Sequence, residues 1–133
     1  MTKNNRIYSV FPGSLPVEDI SRTLGIELDP GEVVFTVPAQ KHAIGRHPQD
    51  VPVITPHLSG IIESPMYMGD DLKNPGKIEF VSKIRGHSGG ALVAIAIETN
   101  ADGRYHICSA YLISDSELDR KKSKQILKFV KPR

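Results

Sequence analysis

"ALVAIAIET", residues 91–99, is the stretch that decides the fold. Apolar side chains occupy both alternating sets of positions, so both faces of a strand here would be buried, which is typical of a central strand. The runs "KIEFVSKI" (77–84) and "RYHICSAYLIS" (104–114) lie on either side of it, joined to it by the turn sequences "GHSGG" and "NADG". Together the three runs predict an antiparallel meander.

The chain before the meander carries helix and strand signals. Val17, Ile20 and Leu24 have helical spacing, and Gly25 is a suitable stop for that helix. The β-branched run "EVVFTV", residues 32–37, then predicts a short strand. We therefore expect a helix and then a strand in the N-terminal part of the chain.

Prolines delimit two further predicted helices. Pro38 suits the first position of a helix, and Pro48 disfavours helical geometry at His47, so this helix should have about ten residues. Thr55 and Pro56 predict the N-cap and the first residue of the next helix. The turn-rich segment "SPMYMGDDLKNPG" is expected to end it. Its narrow apolar stripe consists of Leu58, Ile61 and Ile62.

A last helix follows the meander. Ser114 and Glu117 fit a capping box that opens a basic C-terminal helix. The outline is helices first, then an antiparallel sheet, then a short helix. Segregated elements of this kind predict the α+β class.

Composition limits the classes of protein to which the chain can belong. With 39% hydrophobic and 24% charged residues, a chain of 133 residues can bury one modest core. It has no apolar run of roughly 18 residues and its first residues lack the apolar core of a signal peptide, so we expect neither a membrane span nor a signal peptide. The single cysteine fits a reducing compartment, which favours the cytoplasm. No Cys/His cluster has zinc spacing, and we expect neither a metal nor a cofactor.

Charge is unevenly distributed although the net charge is only +2. Between Arg120 and Arg133 there are seven basic residues and no acidic one. Such asymmetry is typical of a basic face or tail that meets an anion. A tail that only improves solubility is an equally good interpretation.

The segment "KHAIGRH", residues 41–47, concentrates cations and imidazoles on a predicted helix. His42 and Arg46 are four residues apart and share a helix face. His47 ends the helix, where the macrodipole favours a positive charge by roughly 0.3–1 kcal/mol. An imidazole is a natural general acid or base near neutral pH, and Lys41 and Arg46 are suited to hold a phosphate. The alternative is a solvated helix with a histidine as its stop.

The order of these motifs resembles a known family. The segments "VPAQKHAIGRH", "ITPHLSGIIESPMYM", "KIEFVSKI" and "HICSAYLIS" are together similar to the phage-associated barnase/EndoU/colicin/RelE-type (BECR-fold) toxin-like ribonucleases, over roughly residues 33–118. The resemblance implies N-terminal helices packed on a four-stranded antiparallel β-sheet meander, here with a short C-terminal helix.

The resemblance also sets the expected organisation of the chain. We expect a single domain over residues 1–133. Residues 1–37 would be a lead-in helix and strand, residues 38–118 a nuclease-like core, and residues 119–133 a basic C-terminal tail or helix.

The family's chemistry is implied in the same way. It is metal-independent RNA cleavage, in which the 2′-hydroxyl attacks the adjacent phosphate. His47 matches the histidine that closes the family's first helix, and Lys41 and His42 match its Lys–His pair. In the last strand, Ser109 and Tyr111 stand where the family has Ser or Thr and then an aromatic residue. The implied catalytic set is His47, Lys41, His42, Ser109 and Tyr111.

Strand alternation separates the polar residues of the last strand. Ser109 and Tyr111 are two apart and share a face, where the hydroxyl of Ser109 would donate to phosphate and Tyr111 would stack on a base or donate to phosphate. His106 and Cys108 have the other parity. We therefore predict that His106 is a surface residue and Cys108 an inert small hydrophobe.

The substrate-binding candidates are cations. Arg46 is the expected phosphate clamp, and Lys83 and Arg85, at the end of a meander strand, would flank the RNA backbone. Solvated strand-end charges are an equally common interpretation. No carboxylate has a clear claim to orient the catalytic imidazole, because neither Asp50 nor Glu79 follows from spacing.

Three functions stay open from the sequence. The first is a toxin-type endoribonuclease that acts on RNA, with tRNA as a candidate target, in a bacterial cytoplasm and either made there or delivered by a phage. The second is a non-catalytic RNA-binding or phage accessory domain of the same fold. The third, another phosphate-handling enzyme, lacks support from a Gly-rich phosphate loop. An active toxin implies an acidic immunity protein or antitoxin that covers the helix of residues 41–47. The oligomeric state stays open.

Overall fold

Residues 7–70 and 76–130 are described by this computed structural model, and they are organised around one β-sheet. The strands are β1 (Val10–Ser14), β2 (Glu32–Phe35), β3 (Tyr67–Asp70), β4 (Lys77–Ser82), β5 (Gly90–Ala96), β6 (Tyr105–Ile113) and β7 (Lys128–Phe129). The helices are α1 (Val17–Leu24), α2 (Val37–Arg46), α3 (Val51–Ile54), α4 (Leu58–Glu63) and α5 (Asp115–Ser123), with a 3-10 turn (Thr55–His57) between α3 and α4.

The sheet is mixed, and its strand order is β1-β2-β6-β5-β4-β3-β7. β2 and β6 run parallel, with Val33 opposite Tyr105, and the other neighbours run antiparallel. The predicted meander β4-β5-β6 is confirmed, and so is the α+β class. The predicted four-stranded antiparallel sheet is wrong, because seven strands pair within the described residues. The one parallel pairing is allowed by the long connection through α2–α4 and β3–β5, which returns the chain in the same direction.

Two strands at the far edge of the sheet come from segments without a strand signal. β3 lies inside the segment of residues 64–76 that was predicted as turns, and β7 follows α5 and pairs with β3. Gly69 permits the close approach of the chain after α5, because a Cβ at this position would overlap the carbonyl oxygen of Ile126. Residues 71–75 of the predicted turn lie outside the described residues.

Helix α1 confirms its prediction at both ends. Ile20 is fully buried, and Val17 and Leu24 pack against the same core. Gly25 follows with φ of 72°, and its N–H donates to the carbonyl oxygen of Ser21. The left-handed conformation favours glycine at this helix end.

Helix α2 also follows its prediction closely. Thr36 is its N-cap, and its side chain accepts a hydrogen bond from the N–H of Ala39 at 3.3 Å. The helix begins at Val37, so Pro38 occupies its second position rather than the first. It ends at Arg46, as the proline at position 48 predicts.

The next helical segment begins earlier than predicted. Thr55 is not an N-cap: its hydroxyl donates to the carbonyl oxygen of Val51 at 2.7 Å, inside a helical path that starts at α3. Pro56 lies in the 3-10 turn. The predicted apolar stripe of α4 is confirmed, because all three of its members are buried: Leu58, Ile61 and Ile62.

Each face of the sheet carries its own apolar cluster. The larger core lies under α1–α4 and includes Phe80 and Ile78. The smaller cluster, on the other face, includes Leu92 of β5 and Leu118 of α5. Every residue of β5 is buried, which confirms it as a central strand. The predicted cap of α5 is also present, since the N–H of Glu117 donates to the Ser114 hydroxyl at 3.1 Å.

Candidate active site

Helix α2 is seated on the sheet by its buried face. The side-chain Nε2 of Gln40 donates to the carbonyl oxygen of Phe35 at 2.9 Å, and Ala43 is buried in the larger core. These contacts leave His42 and Arg46 exposed on another face of the helix. The C-terminal end of α2 thereby becomes one wall of a cleft.

The opposite wall is the C-terminal half of β6. β2 pairs with β6 at Tyr105 and His106, so β6 continues beyond that pairing and packs against α2 and α3. Within the described residues, the edge of β6 beyond its pairing with β2 has no neighbouring strand. There the N–H of Leu112 donates to Oδ2 of Asp50 at 3.0 Å, so the carboxylate of the residue before α3 binds a backbone group that would otherwise pair with a strand.

A β-bulge changes which side chains of β6 reach the cleft. Ala94 of β5 pairs with Ser109, and Ile95 pairs with Ile107, so Cys108 is an extra residue on β6. The alternation of side chains shifts at a bulge. Ile107 is buried in the larger core, whereas Cys108 joins Ser109 in lining the cleft.

The prediction that Ser109 and Tyr111 share a face is confirmed, but the prediction that His106 and Cys108 lie on the opposite face from them is wrong. His106 lies between two residues that are buried in the larger core, Tyr105 and Ile107, so its side chain belongs to the opposite face of the sheet. Ser109 and Tyr111 lie on that same face, because the core contains their neighbour Ala110. The bulge brings His106, Ser109 and Tyr111 to one side of β6.

The cleft has a volume of about 550 Å³ and carries a positive charge. Lys77, at the start of β4, lines the cleft together with residues of α2 and β6. The described lining includes two permanent cations and two imidazoles but no carboxylate. Its members are His42, Ala43, Arg46, His47, Lys77, Cys108, Ser109, Ala110 and Tyr111.

His47 is held in the cleft by two neighbours. Its ring stacks on the ring of Tyr111, with centroids 4.9 Å apart and planes inclined by 22°. Its Nδ1 atom lies 3.9 Å from Oδ2 of Asp50. The side chain of His47 is 35% exposed, so it is oriented by the fold and still open to a ligand.

The structure brings together most of the predicted site residues. His42, Arg46, His47, Ser109 and Tyr111 all line the same cleft. Tyr111 already stacks on an imidazole, so at least one face of its ring is covered by protein.

Three predicted cations lie elsewhere. Lys41 is exposed on α2 and is outside the lining of the cleft. Lys83 and Arg85 are exposed beyond the end of β4, whereas Lys77 stands at the start of that strand. Six residues of extended strand separate Lys83 from Lys77, which corresponds to roughly 20 Å.

Two residues of the cleft region were missed or left open from the sequence. Lys77 gave no signal beyond its position at the start of a strand. Asp50 lies three residues after His47, a spacing at which side chains can meet across a turn. Glu79, the other carboxylate considered, pairs with Lys121 of α5 at 3.2 Å instead.

Residues 7–70 and 76–130 contain neither a metal-binding cluster nor a membrane-spanning helix. In these ranges no group of three His, Cys, Asp or Glu side chains is placed to hold a metal ion. No helix in the same ranges is long and apolar enough to cross a membrane.

Comparison with known protein families identifies the chain's relatives. The family model described as phage-Barnase-EndoU-ColicinE5/D-RelE like nuclease 3 matches residues 11–120. The chain belongs to this nuclease family. The match begins in β1 and ends in α5, so this nuclease domain contains every residue of the cleft, and the resemblance seen in the sequence is confirmed. No curated protein and no solved structure matches the chain.

Proposed function

We propose that this nuclease is a metal-independent endoribonuclease that cleaves RNA by attack of the 2′-hydroxyl on the adjacent phosphate. The observation that carries the proposal is the convergence of His47, Arg46 and Ser109 on one positively charged cleft. These side chains offer a proton-transfer group, a phosphate-binding group and a neutral hydrogen-bond donor. Together they supply what the reaction needs from a protein.

The proton-transfer role falls to His47. Its Nδ1 atom faces the Asp50 carboxylate, which favours the tautomer with the proton on Nδ1 and leaves the lone pair on Nε2. In the proposed step, Nε2 accepts the proton of the 2′-hydroxyl while the 2′-oxygen forms a bond to phosphorus. The bond from phosphorus to the 5′-oxygen breaks, and that oxygen takes a proton from a second acid. The products are a 2′,3′-cyclic phosphate and a free 5′-hydroxyl.

The second acid is His42, which lines the same cleft from α2. It matches the histidine of the Lys–His pair implied by the resemblance, whereas Lys41 is placed to act on the backbone of a long RNA from outside the cleft. An imidazole can donate a proton to a leaving oxygen near neutral pH. Acid–base assistance of this kind contributes about 10²–10⁴-fold in rate.

The phosphate is held by the two permanent cations that line the cleft. Arg46 presents a planar guanidinium that can bind two phosphate oxygens, and Lys77 adds a point charge from β4. The Ser109 hydroxyl donates a hydrogen bond to a phosphate oxygen. Tyr111 positions the imidazole of His47 through their stacked rings rather than through contact with a base.

The proposed target is a structured RNA such as tRNA in a bacterial cytoplasm, whether the nuclease is made in that cell or delivered by a phage. A host that produces it needs protection. We include in the proposal an acidic immunity protein or antitoxin that covers α2, where Lys41, His42 and Arg46 are exposed together.

The test of the proposed function is cleavage of total tRNA in EDTA by the purified chain. Wild type is expected to give discrete fragments with 2′,3′-cyclic phosphate ends, and His47→Ala is expected to lose about 10²-fold or more of that rate. His57→Ala, which removes an exposed histidine outside the cleft, is the matched control and should cut normally. Intact RNA after incubation with wild type, or cutting only after a divalent metal is added, would refute the proposal.

A further inference from the structure

A second cavity adjoins the cleft on the same face of the sheet. It has a volume of about 550 Å³ and begins where the cleft ends. Lys77 and Cys108 line both spaces, so the two are continuous. The bulge at Cys108 marks the boundary between them.

The second cavity differs from the cleft in its chemistry. Gly76, Ala96 and Ile97 give it a small and apolar floor, and Glu98 and His106 supply its polar groups together with the shared lysine. The cleft, by contrast, is cationic and polar. An apolar slot with a few polar groups is typical of a site for a flat organic group.

His106 offers a hydrogen-bonding atom without a partner. Its Nδ1 atom is buried, and no hydrogen bond to it is found among the described residues. Buried polar atoms are normally paired with protein, water or a ligand. The Nδ1 atom is closed to solvent, so a ligand in the second cavity would meet the part of the His106 ring that lines the cavity rather than Nδ1.

We propose that the second cavity binds a nucleobase of the RNA, next to the phosphate held in the cleft. This inference rests on the proposed function and deepens it, because it names the part of the substrate that selects the cutting site. The base lies on the floor formed by Ala96 and Ile97, and its polar edge meets Glu98 and His106. Glu98 accepts hydrogen bonds from the N–H groups of the base.

The arrangement fits a base better than a second phosphate. Glu98 would repel a phosphate, and Lys77 at the boundary with the cleft is the one permanent cation among the described residues that line the cavity. Ser109 pairs with Ala94 and Ile107 with Ile95, so across the bulge His106 and Ser109 are separated by about two regular strand steps, or roughly 7 Å. That spacing is comparable to the size of one nucleotide. Lys77 lies between the two sites and would contact the connecting backbone.

The thiol of Cys108 can report whether the second cavity is occupied. Cys108 is the single cysteine of the chain, it is partly exposed, and its side chain lies in the wall between the two spaces. A base bound in the cavity would cover the thiol. The rate of alkylation of Cys108 therefore measures occupancy without any need for cleavage.

The experiment measures that rate, by intact mass, on the full chain with short oligonucleotides. Each oligonucleotide carries a 2′-deoxy sugar at the position of attack, so it binds but is not cut, and the set varies one base at a time. We expect one base to protect Cys108 at about tenfold lower concentration than an abasic version, since stacking of one base contributes this much to affinity. A free nucleoside monophosphate of that base should protect only at far higher concentration.

Two variants isolate the proposed contact. Glu98→Gln should change the order of preference among the bases. Asp102→Asn removes a carboxylate from the same hairpin, outside the cavity, and should keep that order. Both side chains are exposed, so both variants are expected to fold.

Two results would overturn the proposed base site. One is equal protection of Cys108 by the abasic and intact oligonucleotides, and the other is the same base preference in both variants. If wild type still cuts RNA in that case, the proposed function stands and only the base site falls. If wild type neither binds nor cuts RNA, the proposed function falls as well.

Discussion

The Nδ1 atom of His47 lies 3.9 Å from Oδ2 of Asp50, and the same oxygen accepts a hydrogen bond from the N–H of Leu112 at 3.0 Å. One carboxylate therefore connects the residue that ends α2 to the open edge of β6. The orientation of the imidazole is thereby coupled to the strand that carries the other half of the cleft.

Asp50→Asn separates the two roles of this carboxylate. The amide oxygen can still accept from Leu112, but the negative charge beside His47 is lost. We expect kcat for RNA cleavage to fall about tenfold or more, which is less than the 10²–10⁴-fold expected for removing the acid–base group itself. KM and thermal stability should change little.

Asp50→Ala is the companion variant. It loses both roles, so stability should also fall by about 0.5–1.5 kcal/mol, because the part-buried N–H of Leu112 loses its hydrogen bond. Thermal unfolding and steady-state kinetics on both variants distinguish positioning from a purely structural role. An unchanged kcat in Asp50→Asn would contradict the positioning role.

Lys77 and Lys83 stand at opposite ends of β4 and form a matched pair. Lys77→Ala should lower kcat/KM by about tenfold and reduce the slope of log affinity against log salt by about 0.7, since it removes one contact with a single-stranded phosphate. Lys83→Ala removes the same charge outside the cleft and should stay close to wild type. Equal losses in the two variants would show that overall charge, rather than the cleft, governs RNA binding.

The sequence predicted the elements well where the signal was local. Proline and glycine marked the ends of α1 and α2, and double-sided apolar character marked β5 as central. The missed features depend on contacts between distant segments. β2 pairs with a strand about 70 residues later, and β3 is a strand only because β4 and β7 pair with it.

In the candidate site, too, the residues with a local sequence signal were predicted and those that depend on distant contacts were missed. The residues of α2 could be identified from the spacing of charges on one helix. Strand alternation correctly paired Ser109 with Tyr111, but it misplaced His106 and Cys108, because a bulge in β6 has no strong sequence signal. Asp50 could not be assigned because its role depends on the edge of β6, which spacing alone does not reveal.

Substitution by alanine should change the stability of the protein in opposite directions at Gly69 and at Gly45. A Cβ at Gly69 would overlap the carbonyl oxygen of Ile126, so Gly69→Ala should destabilise the fold by about 1–3 kcal/mol. Gly45 lies in α2 with no atom within 4 Å of an added Cβ. Gly45→Ala should therefore stabilise the protein by about 0.5–1 kcal/mol. Chemical denaturation measures the free energy of unfolding of both variants. A change of the same sign in both would refute the packing of β3 against the chain after α5.

The raised pKa of the Tyr105 phenol makes the folding stability depend on pH in the alkaline range. Burial raises the pKa of its phenol above the ordinary value, the Asp29 carboxylate adds to the rise, and its hydroxyl donates to the Asp29 carbonyl oxygen at 2.6 Å. The folded state therefore holds the phenolic proton more tightly than the unfolded chain. This contribution is fully present below about pH 10 and is lost as pH rises through the folded pKa.

Tyr105→Phe removes this contribution. We expect a loss of about 0.5–1.5 kcal/mol at neutral pH from the missing hydrogen bond, and a flatter decline of stability above pH 10. Tyr8→Phe, at an exposed tyrosine, is the control and should follow wild type. Parallel stability curves for wild type and Tyr105→Phe at alkaline pH would contradict the assignment.

The central claim is that the 2′-hydroxyl of the RNA is the nucleophile and that His47 takes its proton. The most direct test compares an RNA containing the mapped cutting site with the same RNA carrying a single 2′-deoxy sugar at that site, in EDTA. We expect the deoxy substitution to abolish cutting at that position and to leave binding intact. Cleavage of the deoxy-substituted RNA at an undiminished rate would contradict it, since the bond would then be broken by a nucleophile other than the 2′-hydroxyl.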